Sequence, residues 1–154
     1  KILENAFGER MKVDELISQI YEKKLLGKKV GKGFYIHPVK GKRYPNPEIK
    51  TMLNKDAAKT DAADILDRMV LLMVNEAALI LEEGIAASAS DIDIGMIFGT
   101  GFPPFKGGLC RYADERGISE IVNRLNELEG KYGMRFKVSQ YLIKLSQTQK
   151  SFYS

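Results

Sequence analysis

The chain has 154 residues, of which 44% are apolar and 29% are charged, and these values exclude a disordered or fibrous protein. A single cysteine excludes an internal disulfide, and since no apolar run reaches roughly 18 residues we expect no membrane span. The first residue is a lysine without a preceding methionine, so we expect a piece of a longer protein.

Positive charge is concentrated in the first third of the chain. Residues 1–56 carry 13 Lys and Arg residues against 7 Asp and Glu residues, whereas residues 57–154 carry 11 against 13. A basic segment can meet phosphates, acidic lipid or an acidic neighbouring domain, or it can be an ordinary solvated surface. The charge pattern alone leaves these interpretations open.

The leading third predicts one clear helix and a short extended segment. Apolar residues at helical spacing over residues 11–26 predict an amphipathic helix, and Gly27 is expected to close it. Glycines then bracket the aromatic run Phe34–Ile36, which we expect to be a brief extended segment.

A linker is predicted over residues 40–47, which are polar, basic and contain two prolines. The second of these, Pro47, is suited to the first turn of a short helix that continues to Leu53. We therefore expect a domain boundary somewhere in residues 38–60.

The longest apolar stretch runs from Ile65 to Gly84, and 11 of the 13 residues between Met69 and Leu81 are apolar. A helix that is apolar on nearly all sides is buried, so we predict a central buried helix over about 61–84, with the other segments packed around it. Asn75 and Glu76 are its polar exceptions, and buried polar groups need partners. We expect a structural network, for which Arg68, Arg111 and Tyr112 are the candidate partners. The alternative is a functional carboxylate at Glu76.

The remainder predicts four shorter helices separated by turns. Ser88 and Ser90 are both suited to cap the first of them, expected over residues 91–98. The glycine- and proline-rich segment Gly99–Gly108 is expected to be a rigid loop that lets two helices approach closely. The second helix is expected to end near Gly117. The third is expected to run from Ile118 to Gly130 or Gly133, and the fourth to begin after Ser139. The pattern is all-α, with at most a trace of extended structure.

Side chains suited to metal binding or acid–base chemistry are few. His37 and Cys110 are the chain's only histidine and cysteine, and they lie far apart. Asp91 and Asp93 could hold a hard cation, but acids at a helix start more often serve as capping and dipole partners. His37 has no carboxylate nearby in sequence to orient it, and Cys110 is expected to be a small buried thiol. We predict neither a metal site nor a catalytic residue in this chain.

Two glycine-rich segments fail to match a dinucleotide-binding fingerprint, which needs a strand, glycines and a helix in that order. Gly31-Lys32-Gly33 follows a helix, and Gly99-Thr100-Gly101 runs into prolines that have no N–H to offer a phosphate. We therefore expect no cofactor to bind this chain.

A lysine cluster surrounds the first of these segments. Lys28, Lys29 and Lys32 sit among glycines, where exposed backbone N–H groups and long side chains could engage a polyphosphate such as coenzyme A, or nucleic acid. A surface cluster without any ligand is the plainer interpretation, and the sequence leaves both open.

Several segments resemble the C-terminal helical part of 3-hydroxyacyl-CoA dehydrogenases. The close of that family's first helical domain is similar to LGKKVGKGFYIH (Leu26–His37). Its second helical domain is similar to DRMVLLMVNEAALILEEGI (Asp67–Ile85) and SDIDIGMIFGTGFPPFKGGLCRYAD (Ser90–Asp114). The family's end is similar to YGMRF (Tyr132–Phe136) and SFY (Ser151–Tyr153).

This duplicated arrangement is typical of the multifunctional fatty-acid oxidation complex alpha subunit. The resemblance implies an all-α helical bundle of the 6-phosphogluconate dehydrogenase C-terminal type. Residues 1–56 would be the end of the first C-terminal helical domain and a linker, and residues 57–154 would be the second such domain. In the family, the nicotinamide-binding fold and a catalytic His–Glu pair lie upstream of these helices.

An Asn-Arg pair at the start of the first copy's long helix supplies an asparagine to the family's active site, and the corresponding pair here is Asp67-Arg68. A carboxylate in place of the amide implies the second, non-catalytic copy, so no catalytic residue is carried over. The implied role is structural, to buttress the first copy and help shape the acyl-CoA cleft.

The parent enzyme implied by the resemblance oxidises 3-hydroxyacyl-CoA to 3-ketoacyl-CoA with NAD in fatty-acid β-oxidation. Its expected partners are the N-terminal NAD-binding domain, a fused enoyl-CoA hydratase, a thiolase subunit and a further copy of the chain. The expected compartment is the bacterial or archaeal cytoplasm, or the mitochondrial matrix or peroxisome of a eukaryote.

Two rival hypotheses come from other classes of protein. One is a stand-alone helical oligomerisation or interaction module without an enzymatic parent. The other is a basic nucleic-acid binder, which the acidic balance of residues 57–154 disfavours.

Overall fold

A computed structural model describes residues 2–53 and 60–154. In the described part, all regular elements are helical apart from one two-stranded antiparallel hairpin, so the all-α prediction is confirmed. The chain divides into two compact units, Lys1–Lys59 and Thr60–Ser154. The predicted division between residues 56 and 57 lies outside the described residues, and its assignment to two helical domains of one family stays a prediction.

The first unit holds three short helices and the hairpin around a small core. Its buried residues are Ile20, Leu25 and Ile49, and Leu16 and Met52 pack against them. In chain order the elements are α1 (Ile2–Phe7), a 3₁₀ turn (Gly8–Met11), α2 (Glu15–Glu22), a 3₁₀ turn (Lys28–Val30), β1 (Tyr35–Ile36), β2 (Tyr44–Pro45) and α3 (Pro47–Met52).

Helix α2 is shorter than the sequence predicted. It begins after Asp14, whose carboxylate accepts a hydrogen bond from the N–H of Leu16 at 2.8 Å. It ends at Glu22, with Lys23 as the C-cap. The next residue, Lys24, takes the left-handed conformation with φ 55°, and the N–H of Leu25 bonds back to the carbonyl of Ile20 at 3.0 Å. The buried pair Leu25 and Ile20 favours this ending, and the prediction that Gly27 closes the helix was wrong.

The end of the predicted linker is folded into the first unit. Tyr35 pairs with Pro45, and Ile36 pairs with Tyr44. The buried Asn46 donates its amide N–H to the carbonyl of Gly33 at 2.8 Å and caps α3 by accepting the N–H of Glu48 at 3.0 Å. The cap and the proline at the helix start explain why α3 begins as predicted.

The second unit is a bundle built on the predicted central helix. Its elements are α4 (Ala62–Glu82), α5 (Ala89–Gly95), a π-helical turn (Met96–Thr100), a 3₁₀ turn (Pro104–Lys106), α6 (Leu109–Arg116), α7 (Ile118–Tyr132), a 3₁₀ turn (Met134–Phe136) and α8 (Gln140–Gln147). Ser88 caps α5, which therefore begins earlier than predicted, and α7 runs past Gly130 and stops at Gly133. Ser139 caps α8 as predicted.

The core of this unit is contributed by all five helices. Its fully buried side chains include Leu71, Val74, Leu109, Ile121, Leu125, Leu128 and Leu142. Helix α4 is not buried on all sides, however, and this part of the prediction was wrong. Ile65, Leu66 and Met69 follow one stripe at helical spacing and are 46%, 56% and 64% exposed, because the other helices of the unit cover the opposite side of α4.

None of the helices within residues 2–53 and 60–154 combines the length and the apolar character that crossing a membrane requires.

Candidate functional site

Asp67, in the pair that the family resemblance singles out, ties three helices of the second unit together. Its carboxylate accepts two hydrogen bonds from the guanidinium of Arg116, at the end of α6, at 2.5 and 3.2 Å. It accepts a third from Nε of Arg124, in α7, at 2.9 Å. The Asp67 side chain is 16% exposed, and the hydrogen bonds from Arg116 and then Arg124 hold the pKa of this carboxyl below its usual value.

A second carboxylate extends this network by one turn of α4. Asp64 accepts hydrogen bonds from Nη2 of Arg124 and, at 3.1 Å, from the hydroxyl of Tyr132. The guanidinium of Arg68 lies over the ring of Tyr132, with its carbon 4.1 Å from the ring centre. Two carboxylates on one face of α4 are thus balanced by arginines from α6 and α7. The chemistry of this cluster is structural, since a carboxylate with a lowered pKa and both oxygens engaged is a poor base.

The sequence pointed to Asp67 and Arg68 but missed Asp64, Arg116 and Arg124. The available signal was the spacing of three between Asp64 and Asp67, which places both on one helix face. The arginines lie 49 and 57 residues from Asp67 along the chain, so no local pattern could have identified them as its partners.

Asn75 is buried, and its partners differ from those predicted. Its amide donates to the carbonyl of Lys137 at 2.9 Å and accepts the N–H of Ser139 at 2.9 Å. None of the three candidate side chains bonds to Asn75 in these contacts: Arg68 lies on Tyr132, Arg111 on the ring of Tyr153, and Tyr112 beside Arg116. Asn75 therefore fixes the backbone that leads into α8. Its neighbour Glu76 is half-buried, not buried as expected.

The expected close approach of two helices occurs between α5 and α6. Asp93 in α5 is 3% exposed and accepts the first N–H groups of α6, from Cys110 at 2.6 Å and Arg111 at 3.2 Å. Gly108 allows this contact, because a Cβ placed there would lie 2.3 Å from Cγ of Asp93. Its φ of 113° also favours glycine.

Asp91 and Asp93, the two acids considered above as cation ligands, act as helix-capping residues. Asp91 accepts the hydroxyl of Ser88 at 2.8 Å while its N–H donates to Ser88, which is a capping arrangement, and Asp93 caps α6. Within residues 2–53 and 60–154 no group of three or more His, Cys, Asp or Glu side chains is placed to hold a metal. Cys110 is a fully buried free thiol, as predicted, and burial raises its pKa.

The C-terminal segment is held by two carboxylates that the sequence did not single out for this task. Asp114 in α6 accepts the N–H groups of Phe152 at 2.8 Å and Tyr153 at 3.2 Å. The hydroxyl of Tyr153 donates to Asp93 at 2.8 Å, and the guanidinium carbon of Arg111 lies 3.5 Å from the centre of its ring. Burial, followed by the bond to Asp93, raises the pKa of Tyr153 to about 12.

The lysine cluster lies on an exposed turn of the first unit. Lys28 and Lys29 begin the 3₁₀ turn after Gly27, and Nζ of Lys32 is 3.9 Å from a carboxylate oxygen of Glu48. The backbone N–H groups that the sequence suggested as phosphate donors are used within the segment. Those of the three glycines donate to carbonyls of neighbouring residues, in the pairs Gly27–Lys32, Gly31–Lys28 and Gly33–Tyr35. The N–H groups of these three glycines are therefore not free to receive an anion, which would meet the lysine side chains.

His37 is half-buried beside this turn, and its backbone N–H donates to the carbonyl of Gly31 at 2.7 Å. That bond closes the base of the glycine turn onto β1. The structure thus gives the backbone of His37 a folding task, and the sequence interpretation of His37 as a non-catalytic residue stays a prediction.

Comparison with known proteins identifies relatives for nearly the whole chain. It is 40% identical over 155 residues to the fatty acid oxidation complex subunit alpha of Shewanella amazonensis, and 40% identical over 152 residues to that of Vibrio parahaemolyticus. Each match covers 99% of this chain and 22% of the relative, so the chain spans about a fifth of the length of these proteins. No protein-family model matches the chain.

A solved structure shares the fold. The dehydrogenase part of multifunctional enzyme 1 from C. elegans matches 93% of this chain and 34% of its own length, with a TM-score of 0.64 and 24% sequence identity. At that identity the likeness concerns the fold alone, and it agrees with the helical fold predicted from the resemblance. Taken with the two bacterial relatives, it confirms the resemblance: the chain is homologous, over nearly its whole length, to a part of fatty acid oxidation complex alpha subunits.

Proposed function

We propose that this chain is a non-catalytic helical part of a 3-hydroxyacyl-CoA dehydrogenase of fatty-acid β-oxidation. Its task is to buttress the catalytic domains and help shape the cleft for the acyl-CoA. The observation that carries the proposal is the environment of Asp67. The position that corresponds to the family's active-site asparagine holds a carboxylate whose oxygens are engaged by Arg116 and Arg124 of its own unit.

The parent reaction moves a hydride from C3 of a 3-hydroxyacyl-CoA to NAD while a histidine base takes the hydroxyl proton. The residues that the structure describes, 2–53 and 60–154, do not fit the nicotinamide cofactor. The segment Gly99–Gly101 continues a helix through a π-helical turn and then meets Pro103, so it forms no strand–glycine–helix cradle. NAD, the histidine base and a fused enoyl-CoA hydratase are therefore assigned to other parts of the parent protein.

Lys28, Lys29 and Lys32 are proposed to contact the phosphates of coenzyme A in the parent enzyme. All three side chains are exposed, and the unit that carries them has an excess of positive charge. Contacts made by lysine side chains alone would be weak and would weaken further with added salt. A thiolase subunit and a bacterial or archaeal cytoplasmic location complete the proposed setting.

An activity assay on the isolated chain tests the proposal. The chain is incubated with acetoacetyl-CoA and NADH, and we expect NADH oxidation to stay at the level of the protein-free control. A second assay with NADH and no acyl-CoA separates enzymatic turnover from slow oxidation by contaminants. Oxidation of NADH that depends on both the acyl-CoA and the chain would overturn the non-catalytic assignment.

The exposed apolar stripe of α4 favours one alternative function, a helical oligomerisation or interaction module without an enzymatic parent. Ile65, Leu66 and Met69 present apolar surface at helical spacing, which is a common feature of interfaces. Two observations together distinguish the dehydrogenase part from the interaction module. They are the oligomeric state of the purified chain, measured by analytical ultracentrifugation, and the coding sequence upstream of Lys1. A stable oligomer with no nicotinamide-binding fold encoded upstream would favour the module.

A further inference from the structure

The segment Ser151–Ser154 packs on the second unit through both its backbone and its side chains. Phe152 is 9% exposed and stacks on Tyr141 with ring centres 6.0 Å apart. The backbone N–H groups of Phe152 and Tyr153 both donate to the carboxylate of Asp114. The segment is thus fixed by a buried ring and by charge-assisted hydrogen bonds to α6.

The side chain of Tyr153 reaches a different place, the base of the segment over residues 94–108. This segment comprises the last two residues of α5, the π-helical turn, the 3₁₀ turn and the residues up to Gly108, and it is called the 94–108 loop below. Asp93 stands directly before this loop and Gly108 ends it, and the two residues are in contact. The carboxylate of Asp93 bridges the loop ends by accepting the N–H groups of Cys110 and Arg111. Tyr153 donates its hydroxyl to the same carboxylate at 2.8 Å.

The loop itself presents two apolar side chains to the outside. Phe98 is 86% exposed and Phe105 is 84% exposed. Between them, Phe102 is turned inward and meets the ring of Tyr112 edge to face at 6.3 Å. The loop thus carries one exposed ring on each side of the inward-turned Phe102.

We propose that residues 151–154 form a latch, which locks the base of the 94–108 loop through Tyr153 and so fixes the position of Phe98 and Phe105. The latch has two parts. Asp114 and the buried ring of Phe152 hold the segment on the bundle, and the hydroxyl of Tyr153 adds a third hydrogen bond to Asp93. This inference rests on contacts within the second unit and does not depend on the proposed function.

Because of the latch, the 94–108 loop opens only when residues 151–154 are released. When Tyr153 leaves, the buried Asp93 loses one of its three hydrogen bonds and becomes accessible to water at the point where the loop ends meet. The loop amides that are bonded internally, such as those of Gly101 and Phe102, then open more often. The consequence reaches the loop and the first turn of α6, whose N–H groups Asp93 also accepts, whereas α7 makes none of these contacts with the segment.

Hydrogen exchange followed by mass spectrometry tests the latch on the full chain. The variants are Tyr153→Phe, which removes only the hydroxyl, and Tyr132→Phe as the matched control. Tyr132 also donates its hydroxyl to an aspartate, but to Asp64. We expect Tyr153→Phe to speed exchange in peptides covering residues 96–108 by about tenfold, the factor that follows from losing one hydrogen bond to a charged group. We expect Tyr132→Phe to leave that loop unchanged.

A second variant, Phe152→Ala, removes the ring that holds the segment, and it should speed exchange in the same loop while α7 keeps its protection. Should this variant unfold as a whole, the decision rests on Tyr153→Phe, which keeps the ring. The latch is overturned if Tyr153→Phe leaves loop exchange unchanged, or if both tyrosine variants speed it equally.

Discussion

Asp67 sets the charge balance at the start of α4. It binds Arg116 and Arg124, and all three side chains are at most 21% exposed, so removing the carboxylate leaves two partly buried guanidinium groups without their shared partner. We expect Asp67→Ala to lower the free energy of unfolding by about 1–2 kcal/mol, less than for a fully buried pair because water still reaches the cluster. The measurement is urea unfolding of the full chain.

A matched control comes from the same arginine. Glu127 accepts a hydrogen bond from Arg124 at 2.7 Å, but its side chain is 59% exposed. Glu127→Ala should therefore change the free energy of unfolding by less than about 0.5 kcal/mol. Equal losses from the two variants would contradict a special role for Asp67.

The pH dependence of the Asp67 contribution has a definite sign. Because the pKa of Asp67 is lower in the folded chain than its usual 3.8, the unfolded chain holds the proton more tightly. The stabilisation is complete above about pH 3.8 and is lost as the pH falls through the folded value. The stability difference between wild type and Asp67→Asn should therefore be constant near neutral pH and should shrink in acid. A stability difference between wild type and Asp67→Asn that grows on acidification would contradict a lowered pKa of Asp67 in the folded chain.

At the scale of the helices, the contact between α5 and α6 depends on a glycine. A Cβ at Gly108 would overlap Asp93 and would also sit at a φ of 113°, so Gly108→Ala should destabilise the chain by about 2 kcal/mol or more. Gly130 lies within α7, where a Cβ meets nothing within 4 Å, so Gly130→Ala should stabilise it by about 0.5–1 kcal/mol. Thermal unfolding of both variants checks the pair, and a neutral Gly108→Ala would refute the close approach.

Local signals were enough to predict most of the helices. The long apolar run gave α4, and the side chains of Asp14, Ser88 and Ser139 capped the helices that followed them, because capping depends on residues only two or three positions apart. The early end of α2 was missed, because a lysine at φ 55° is favoured only through the packing of Leu25 on Ile20.

The candidate site was harder to predict than the elements. The sequence flagged Asp67, Asn75 and Asp93, but their partners come from residues far along the chain or from backbone groups. Such pairings are fixed by how the helices pack, which residue types and spacing do not determine. The exposure of Ile65, Leu66 and Met69 was missed for the same reason, since periodicity shows that a face is apolar and not what covers it.

At the scale of the whole molecule, the chain is similar over nearly its whole length to about a fifth of each bacterial relative. Its two units have separate cores, a small one around Ile20 and a larger one around α4. The ionic cluster, the amide of Asn75 and the C-terminal latch all serve to hold the larger unit in one arrangement. These polar side chains bond to other parts of the same unit, as we expect of the supporting domain proposed above.

We propose that this chain supports a dehydrogenase without supplying a catalytic group. The most direct test replaces the homologous segment of the Vibrio parahaemolyticus alpha subunit with this chain and follows NADH oxidation with acetoacetyl-CoA. We expect the chimera to be active, and we expect Asp67→Ala within it to lower thermal stability while the kcat/KM of the folded enzyme stays within about twofold of the unsubstituted chimera. A chimera in which Asp67→Ala abolishes turnover without loss of stability would contradict the claim.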